Sequence, residues 1–250
     1  MSTSYVHLYV ENKVGYIEFY NPPHNGLPAA MLETLTDLIN QAGTDPSIAV
    51  LVLQSGGDRT FCAGASFDEL IAISNPQQGA EFFEGFANVI NALRKCPKIT
   101  IGRVQGKAVG GGVGLAAATD YCLATTHSEI KLSELTIGIG PFVIEPAVSR
   151  KIGLSAMSQL TLEASTFFSA QWAQKKGLFM KVCDSKNDLD TEIKLLTEQL
   201  CEYNPEAFHE LKKTFWEGTE NWDELLQERA SISGRLVVSD FTKTQLKKYK

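Results

Sequence analysis

Four glycines within the six positions 109–114 form the stretch of this sequence with the clearest chemical implication. They follow a β-branched run (98–106) and lead into alanines, which is the pattern of a strand, a glycine loop and the start of a helix. Glycine lets the backbone approach a ligand closely, and the first N–H groups of a helix have no partner within it. The stretch is therefore a candidate for binding a dinucleotide, a phosphate or an oxygen that develops negative charge.

The phosphate and dinucleotide alternatives fit the sequence poorly. A P-loop would need a hydroxyl residue after Gly106-Lys107 and a glycine at position 101, where the chain has Ala108 and Ile101. Residues 112–117 satisfy the dinucleotide pattern G-x-G-x-x-A, but at least four strands precede them and no carboxylate ends the next strand (120–125). An NAD-binding oxidoreductase is accordingly a distant alternative.

A second stretch of small residues, FCAGASFDEL (61–70), also leads from a loop into a helix. Ser66 and Glu69 have the spacing of a capping box, which predicts that this helix begins near Phe67. Two such units can direct two backbone N–H groups at one carbonyl oxygen, and each preorganised donor contributes about 3–4 kcal/mol to a reaction that builds charge there. An oxyanion hole is favoured over a serine hydrolase, because Asp68 replaces the second glycine of G-x-S-x-G.

Composition restricts the classes of partner and of compartment. The chain has 250 residues, 44% of them apolar and 21% charged, which fits one large domain or one domain with a smaller appendage. Its net charge of −6 disfavours nucleic acid and anionic membranes as partners. The five cysteines contain no C-x-x-C, so we expect reduced thiols in a cytoplasmic protein and no metal site. Neither a signal peptide nor a transmembrane run of 18 apolar residues is expected.

Hydrophobic periodicity and turn residues predict an α/β fold in which helices dominate the second half. We expect an α/β core over residues 1–190 and a helical C-terminal region over residues 191–250. The predicted strands are 5–10, 14–20, 48–56, 98–106, 120–125, 129–133 and 178–183. The predicted helices are 28–42, one from about 67, one from Pro76 to before Pro97, and then 143–152, 155–163, 170–176, 187–203, 205–216, 221–238 and 240–249.

Four motifs in this order resemble the enoyl-CoA hydratase/isomerase (crotonase) superfamily over nearly the whole chain. They are RTFCAGASFDEL (59–70), VQGKAVGGGVGLAAATDYCLA (104–124), KLSELTIGIGP (131–141) and ERASISGRL (228–236). The resemblance implies a crotonase-like superhelix of ββα turns with a helical C-terminal region, assembled as a homotrimer or hexamer. It also implies an acyl-CoA thioester substrate and no separate cofactor, because CoA is part of that substrate.

The resemblance also implies roles for individual residues. The two oxyanion-hole amides fall on Ala65 and Gly111, and one of the family's two catalytic glutamates falls on Glu134. Apolar neighbours of Glu134 are expected to raise its pKa. Two further groups of residues are implied to contact the CoA moiety, one near the first motif and one at the C-terminus: Arg59, Ala63, Lys247 and Lys248.

One departure from the family pattern affects the expected reaction. The second catalytic glutamate would stand at position 114, which is glycine here, although Glu145 could supply a carboxylate from another direction. Hydration uses two carboxylates to hold water, whereas a proton shift needs one, so we expect an enoyl-CoA-processing enzyme with isomerisation favoured over hydration. A decarboxylase of a glutaconyl-type CoA thioester and a non-catalytic family member are alternatives. The acyl group is left open, and its pocket is expected to include Phe67, Leu70, Phe82, Gly114 and Phe142.

Overall fold

The computed structural model describes residues 3–249, which form a mixed α/β fold with a helical C-terminal region. The strands are β1 (Tyr5–Glu11), β2 (Val14–Tyr20), β3 (Val50–Ser55), β4 (Thr60–Cys62), β5 (Ile99–Val104), β6 (Lys107–Val109), β7 (Tyr121–Thr125), β8 (Ile130–Lys131) and β9 (Lys181–Cys183). The α-helices are α1 (Ala29–Thr44), α2 (Phe67–Ala72), α3 (Pro76–Lys95), α4 (Gly111–Ala118), α5 (Glu145–Leu162), α6 (Ala170–Lys176), α7 (Lys186–Cys201), α8 (Pro205–Phe215), α9 (Trp222–Val237) and α10 (Asp240–Leu246). Two 3₁₀ helices cover Glu134–Ile137 and Lys247–Tyr249.

The larger sheet has the strand order β1-β2-β3-β5-β7-β9. Its β1–β2 pair is the predicted antiparallel hairpin, and every later pair is parallel. All six residues of β3 are buried, because helices cover both faces of a parallel sheet, and this explains the continuous apolar run in the sequence.

A second, three-stranded parallel sheet has the order β4-β6-β8. Two of its strands, β4 and β6, lie in segments that the sequence analysis treated as loops. Strands of three residues are too short to display an alternation of apolar and polar residues, so their sequence carries no strand signal. This sheet matters for function, because each of its strands leads directly into a segment with a candidate site residue.

Apart from shifts of one or two residues at helix ends, the helical half differs from the sequence prediction at two points. The predicted helix 240–249 is α10 followed by the 3₁₀ turn Lys247–Tyr249. The predicted helices 143–152 and 155–163 form a single kinked helix, α5, in which Gly153 has a φ of 77°. At the C-terminal end of the chain, α9 packs closely against α3, since a Cβ on Gly79 would lie 2.7 Å from the Cα of Gly234. Asp223 also binds Arg94 and Lys95 at the other end of this helix pair. The division of the chain at residue 190 stays a prediction.

Two searches of the described residues gave negative results. Within residues 3–249, no helix combines the length and the apolar character needed to cross a membrane. Over the same range, no cluster of three or more His, Cys, Asp or Glu side chains has the arrangement of a metal site.

Candidate active site

A cavity of about 660 Å³ lies at the carboxyl end of the smaller sheet. Its wall is mainly apolar, and Glu134 is its one carboxylate among the described residues. The lining residues come from the loop between β2 and α1, from the segments after β4 and β6, from β8 and the segment after it, from α2 and α3, and from α9: His24, Ala63, Gly64, Ala65, Phe67, Leu70, Phe83, Phe86, Gly110, Gly111, Lys131, Ser133, Glu134, Thr136, Ile137, Ile139, Gly140, Pro141, Phe142, Val143, Ile144 and Ser233.

The smaller sheet explains why three distant parts of the chain meet at this cavity. The carboxyl ends of parallel strands lie at one edge of a sheet, which is where such folds place their ligands. Here β4 leads to Ala65, β6 leads to Gly111, and β8 leads to Glu134. The structure therefore brings together the three residues that the sequence analysis placed in the catalytic site.

The hydrogen bonds around Ala65 leave one backbone N–H uncommitted. Ala63 donates to the carbonyl of His24 (3.1 Å), Gly64 donates to Cys62 Sγ (3.3 Å), and Ser66 donates to the carbonyl of Leu27 (2.9 Å). The N–H of Ala65 finds no acceptor within residues 3–249. Since the flanking amides are fixed by the protein, this N–H is the one of the four that remains for a ligand.

The second amide comes from the start of α4. Gly110, with a φ of 53°, is the N-cap, and the N–H of Gly111 has no acceptor in the described part of the chain. A Cβ on Gly64 would lie 3.3 Å from the Gly111 nitrogen, so the two loops are in contact. A Cβ on Gly111 would lie 2.3 Å from Phe86 Cε1. Any larger side chain at position 111 would collide with Phe86. Glycine therefore lets the backbone of this residue line the cavity.

Helix α2 is held in place by its cap. Ser66 Oγ accepts the N–H of Glu69 at 3.4 Å, as the sequence predicts. The Glu69 carboxylate does not complete the capping box, because its Oε2 accepts the N–H of Ala29 at the start of α1 (2.8 Å). This bond ties α2 to α1 beside the Ala65 loop.

Glu134 lies at the first position of the 3₁₀ helix and is partly buried. Its Oε2 is buried and has no hydrogen-bond partner among the described residues. Its Oε1 packs on the glycine loop, since a Cβ on Gly110 would lie 2.9 Å from it. Burial in apolar surroundings raises the pKa of Glu134 to about 7, against a smaller lowering effect of a backbone hydrogen bond. A carboxyl with such a pKa can both accept and donate a proton near neutral pH.

Among the described residues, none places a second carboxylate beside Glu134 in the cavity lining. Glu145 is the first residue of α5, its Oε1 accepts a hydrogen bond from Ser149 Oγ at 2.5 Å, and it does not line the cavity. A Cβ on Gly114 would lie 2.3 Å from Ile144 Cγ2. Ile144 therefore fills the space that a side chain at position 114 would need.

Of the five residues predicted for the acyl pocket, three line this cavity. Phe67, Leu70 and Phe142 line the cavity, whereas Phe82 and Gly114 do not. Phe82 packs instead in a small apolar cluster with Leu70, Ile139, Val237 and Leu246. On the same helix, Phe83 and Phe86 line the cavity, because residues three apart lie on one face of a helix. Phe82, one residue before Phe83, lies on a different face.

Some lining residues were not found from the sequence. His24, Lys131 and Ser233 come from a loop, a short strand and a late helix, and nothing in their local pattern links them. From the segment 139–144 the sequence analysis named only Phe142 for the pocket, whereas all six residues of this segment line the cavity.

The residues implied to contact CoA lie in different environments. Ala63 lines the cavity. Arg59 is exposed in the loop before β4, and Lys247 and Lys248 are exposed in the last 3₁₀ turn, where Lys248 Nζ donates to Gln245 Oε1 at 2.7 Å. None of the three cations lines the cavity, so their contacts with CoA stay predictions.

The dinucleotide pattern has a packing explanation. A Cβ on Gly112 would lie 2.4 Å from the carbonyl oxygen of Cys62, and Gly114 packs on Ile144. Both glycines of the G-x-G pattern are thus required by contacts within the protein, and neither lines the cavity.

Comparison with known proteins places this geometry in a family. The family model for enoyl-CoA hydratase/isomerase matches residues 9–248. The chain is 31% identical over 178 residues to the bacillaene synthase dehydratase PksH of Bacillus subtilis (strain 168), covering 70% of this chain and 67% of that protein. It is 32% identical over 133 residues to an ethylmalonyl-CoA decarboxylase of Xenopus tropicalis, covering 53% of this chain and 44% of that protein.

A solved structure gives the same fold. The enoyl-CoA hydratase of Bacillus halodurans superimposes with a TM-score of 0.90, with coverage of 98% of this chain and 100% of that chain at 24% sequence identity. This likeness confirms the crotonase-like fold that the sequence motifs imply. Together with the family match over residues 9–248, it establishes that the chain belongs to the enoyl-CoA hydratase/isomerase family.

Proposed function

We propose that this protein isomerises the double bond of an enoyl-CoA thioester, with Glu134 as the acid/base. The observation that carries the proposal is the combination in one apolar cavity of a single carboxylate, Glu134, with the uncommitted N–H groups of Ala65 and Gly111. Such a cavity suits a thioester that forms an enolate, because the two amides stabilise the oxyanion and the carboxylate moves the proton.

The proposed reaction balances without a cofactor. The thioester oxygen accepts the N–H groups of Ala65 and Gly111, which acidifies the α-carbon of a 3-enoyl group. The Glu134 carboxylate removes an α-proton, and the negative charge spreads over the γ-carbon and the thioester oxygen. The resulting carboxylic acid returns the proton to the γ-carbon, so the double bond moves into conjugation and the formula of the substrate is unchanged.

The surroundings of Glu134 support a proton shift over hydration. Addition of water requires groups that hold and activate the water molecule, and the cavity lining in residues 3–249 contains no counterpart of the second carboxylate of the two-glutamate members. Position 114 is glycine, and Ile144 packs on it with an apolar side chain. Glu145 binds Ser149 outside the cavity lining.

Decarboxylation is the second candidate, because the chain resembles ethylmalonyl-CoA decarboxylases such as that of Xenopus tropicalis. Loss of CO₂ from a carboxylated acyl group would generate an enolate in the same oxyanion hole. Glu134 would then act only as an acid that protonates the enolate carbon. This reaction requires the protonated carboxyl at the start, whereas isomerisation requires the carboxylate.

The experiment that tests the proposal is a panel of 2-enoyl-CoA, 3-enoyl-CoA and carboxylated acyl-CoA substrates, with products identified by mass spectrometry and NMR. Isomerisation leaves the mass unchanged and moves the double bond. Gain of one water would assign hydration, and loss of CO₂ would assign decarboxylation. Turnover of none of these thioesters would overturn the proposal and favour a non-catalytic role.

The assembly, which the family resemblance implies, and the location, which the cysteine usage suggests, are also proposals. We infer a homotrimer or hexamer in the cytoplasm, without nucleic-acid or membrane partners. Size-exclusion chromatography with light scattering tests the assembly, and a salt-dependent RNA mobility shift would contradict the absence of a nucleic-acid partner.

A further inference from the structure

The backbone turn that carries Glu134 is closed by Gly138. Gly138 has a φ of 86°, and its N–H donates to the carbonyl of Leu135 at 3.1 Å. The N–H of Ile139 donates to the carbonyl of Glu134 at 3.0 Å. These bonds fix the direction in which the side chain of Glu134 leaves the 3₁₀ helix.

The position of the Glu134 carboxylate depends on this turn, because no side chain holds it. Within residues 3–249 its Oε2 has no hydrogen-bond partner, and no side-chain donor contacts its Oε1. A carboxylate without such donors is aimed by its backbone and by packing against Gly110. Whatever stabilises the turn at Gly138 therefore also controls the catalytic geometry.

The C-terminal helix α10 rests directly on Gly138. Thr242 is fully buried, and its Oγ1 donates to the carbonyl of Gly138 at 3.2 Å. A Cβ on Gly138 would lie 2.7 Å from Thr242 Oγ1 and 2.5 Å from Phe241 Cδ1. Ser239 Oγ lies 3.1 Å from Thr242 Oγ1 and donates to it, which leaves the Thr242 proton for Gly138.

The last residues of α9 and α10 also pack against α2, which follows the Ala65 loop. Val237 and Leu246 share an apolar cluster with Leu70 of α2 and with Ile139, the residue after Gly138. The chain end around α10 is thus in contact with α2, which follows the Ala65 loop, and with the Glu134 turn.

We propose that Thr242 is a positioning residue for Glu134, acting through the carbonyl of Gly138, and that α10 holds the catalytic carboxylate in register with the two oxyanion amides. This inference rests on the proposed function of Glu134 as the acid/base. Thr242 does not line the cavity, so it acts on Glu134 through the turn and not by contact with the substrate.

The test compares Thr242→Val with Thr242→Ser and Thr244→Val. Valine removes the hydroxyl at nearly constant volume, serine keeps it, and Thr244 is a matched control because its Oγ1 donates to Asp240 within α10 and is exposed. We expect Thr242→Val to lower kcat at least about tenfold with KM changed less than about twofold, because displacing a catalytic group by about 1 Å costs up to about a hundredfold. Thr242→Ser should retain kcat within about threefold, and Thr244→Val should match the wild type.

A Thr242→Val protein with a lower Tm but wild-type kcat would overturn the inference and leave Thr242 a purely structural role. Failure of the proposed function gives a different result, because Glu134→Gln would then keep its activity whatever Thr242→Val does. If no enoyl-CoA is turned over, ¹³C NMR of the labelled Glu134 carboxyl replaces kcat. If the pKa of Glu134 in Thr242→Val moves toward the ordinary range of a glutamate, the result supports a positioning role. An unchanged pKa overturns the inference.

Discussion

Replacing Glu134 with glutamine should stabilise the fold at alkaline pH while it abolishes turnover. Burial raises the pKa of this carboxyl from 4.5 to about 7. Between these two values the folded protein keeps the proton and the unfolded chain releases it, so the free energy of unfolding falls as the pH rises through this window. Above about pH 7 both states are ionised, and the folded state bears the full cost of a buried charge.

The magnitude follows from the two pKa values. Each tenfold change in an ionisation constant corresponds to about 1.4 kcal/mol, so the full cost is about 3 kcal/mol, of which about 2.5 kcal/mol develops between pH 5 and pH 8. Glutamine has nearly the same shape and cannot ionise. The stability of Glu134→Gln relative to the wild type should therefore increase by about 2.5 kcal/mol between these pH values.

Urea unfolding followed by tryptophan fluorescence measures this difference, because Trp216 and Trp222 are buried and report on loss of the core. Glu145→Gln removes a carboxyl outside the cavity lining and controls for the loss of one negative charge. If the stability difference between Glu134→Gln and the wild type is the same at both pH values, the reasoning about a desolvated carboxyl is refuted.

Three further predictions concern the reaction, the Gly114–Ile144 contact and a buried ion pair. If Glu134 begins the reaction as a base, kcat/KM should be maximal above about pH 7 and fall as the pH is lowered through it, whereas decarboxylation should show the opposite profile. Gly114→Glu should destabilise the fold by about 1–3 kcal/mol through overpacking. In urea unfolding, the double variant that also carries Ile144→Ala should lose less free energy of unfolding than the two single variants lose in sum. Strict additivity would show that the two positions do not compete for space. In the same assay, Asp120→Asn should lower the free energy of unfolding by about 3–5 kcal/mol, because Lys212 Nζ lies 2.6 Å from Asp120 Oδ2 and would be left buried without a counter-charge. A loss below about 1 kcal/mol would contradict this.

Local sequence signals predicted the elements whose ends are set by neighbouring residues. Helix α3 begins at Pro76 and α6 ends at Lys176, both as expected, because Asn75 caps the first helix and the left-handed Gly177 ends the second. The hairpin of β1 and β2 was also correct, because the alternation of side chains and the short turn are both visible in the sequence.

Features that depend on contacts between distant segments were not predicted. The β4 and β6 strands become recognisable only through pairing with each other and with β8. The glycine at position 114 was noticed as a missing carboxylate, but its contact with Ile144 joins two segments that no periodic pattern relates. Likewise, the choice of Phe83 and Phe86 over Phe82 for the cavity depends on how α3 is rotated against its neighbours.

Three residues of the candidate site were named from the sequence, and their catalytic roles stay predictions. Ala65, Gly111 and Glu134 were named from motif resemblance, and the structure brings all three to one cavity because β4, β6 and β8 are parallel neighbours. The raised pKa of Glu134 was expected from its apolar neighbours, and burial is its main cause. The dependence of the Glu134 turn on Thr242 was absent from the sequence analysis, because the two residues meet only when α10 folds back.

Conversion of a 3-enoyl-CoA by the wild type and by Glu134→Gln, with the position of the double bond followed by NMR, tests the central claim most directly. The account predicts a conjugated product of unchanged mass from the wild type and a loss of at least about a hundredfold in kcat for Glu134→Gln, since a lost acid/base usually costs about 10²–10⁴. Retention of more than about a tenth of the wild-type kcat by Glu134→Gln would contradict it, as would a hydrated product from the wild type.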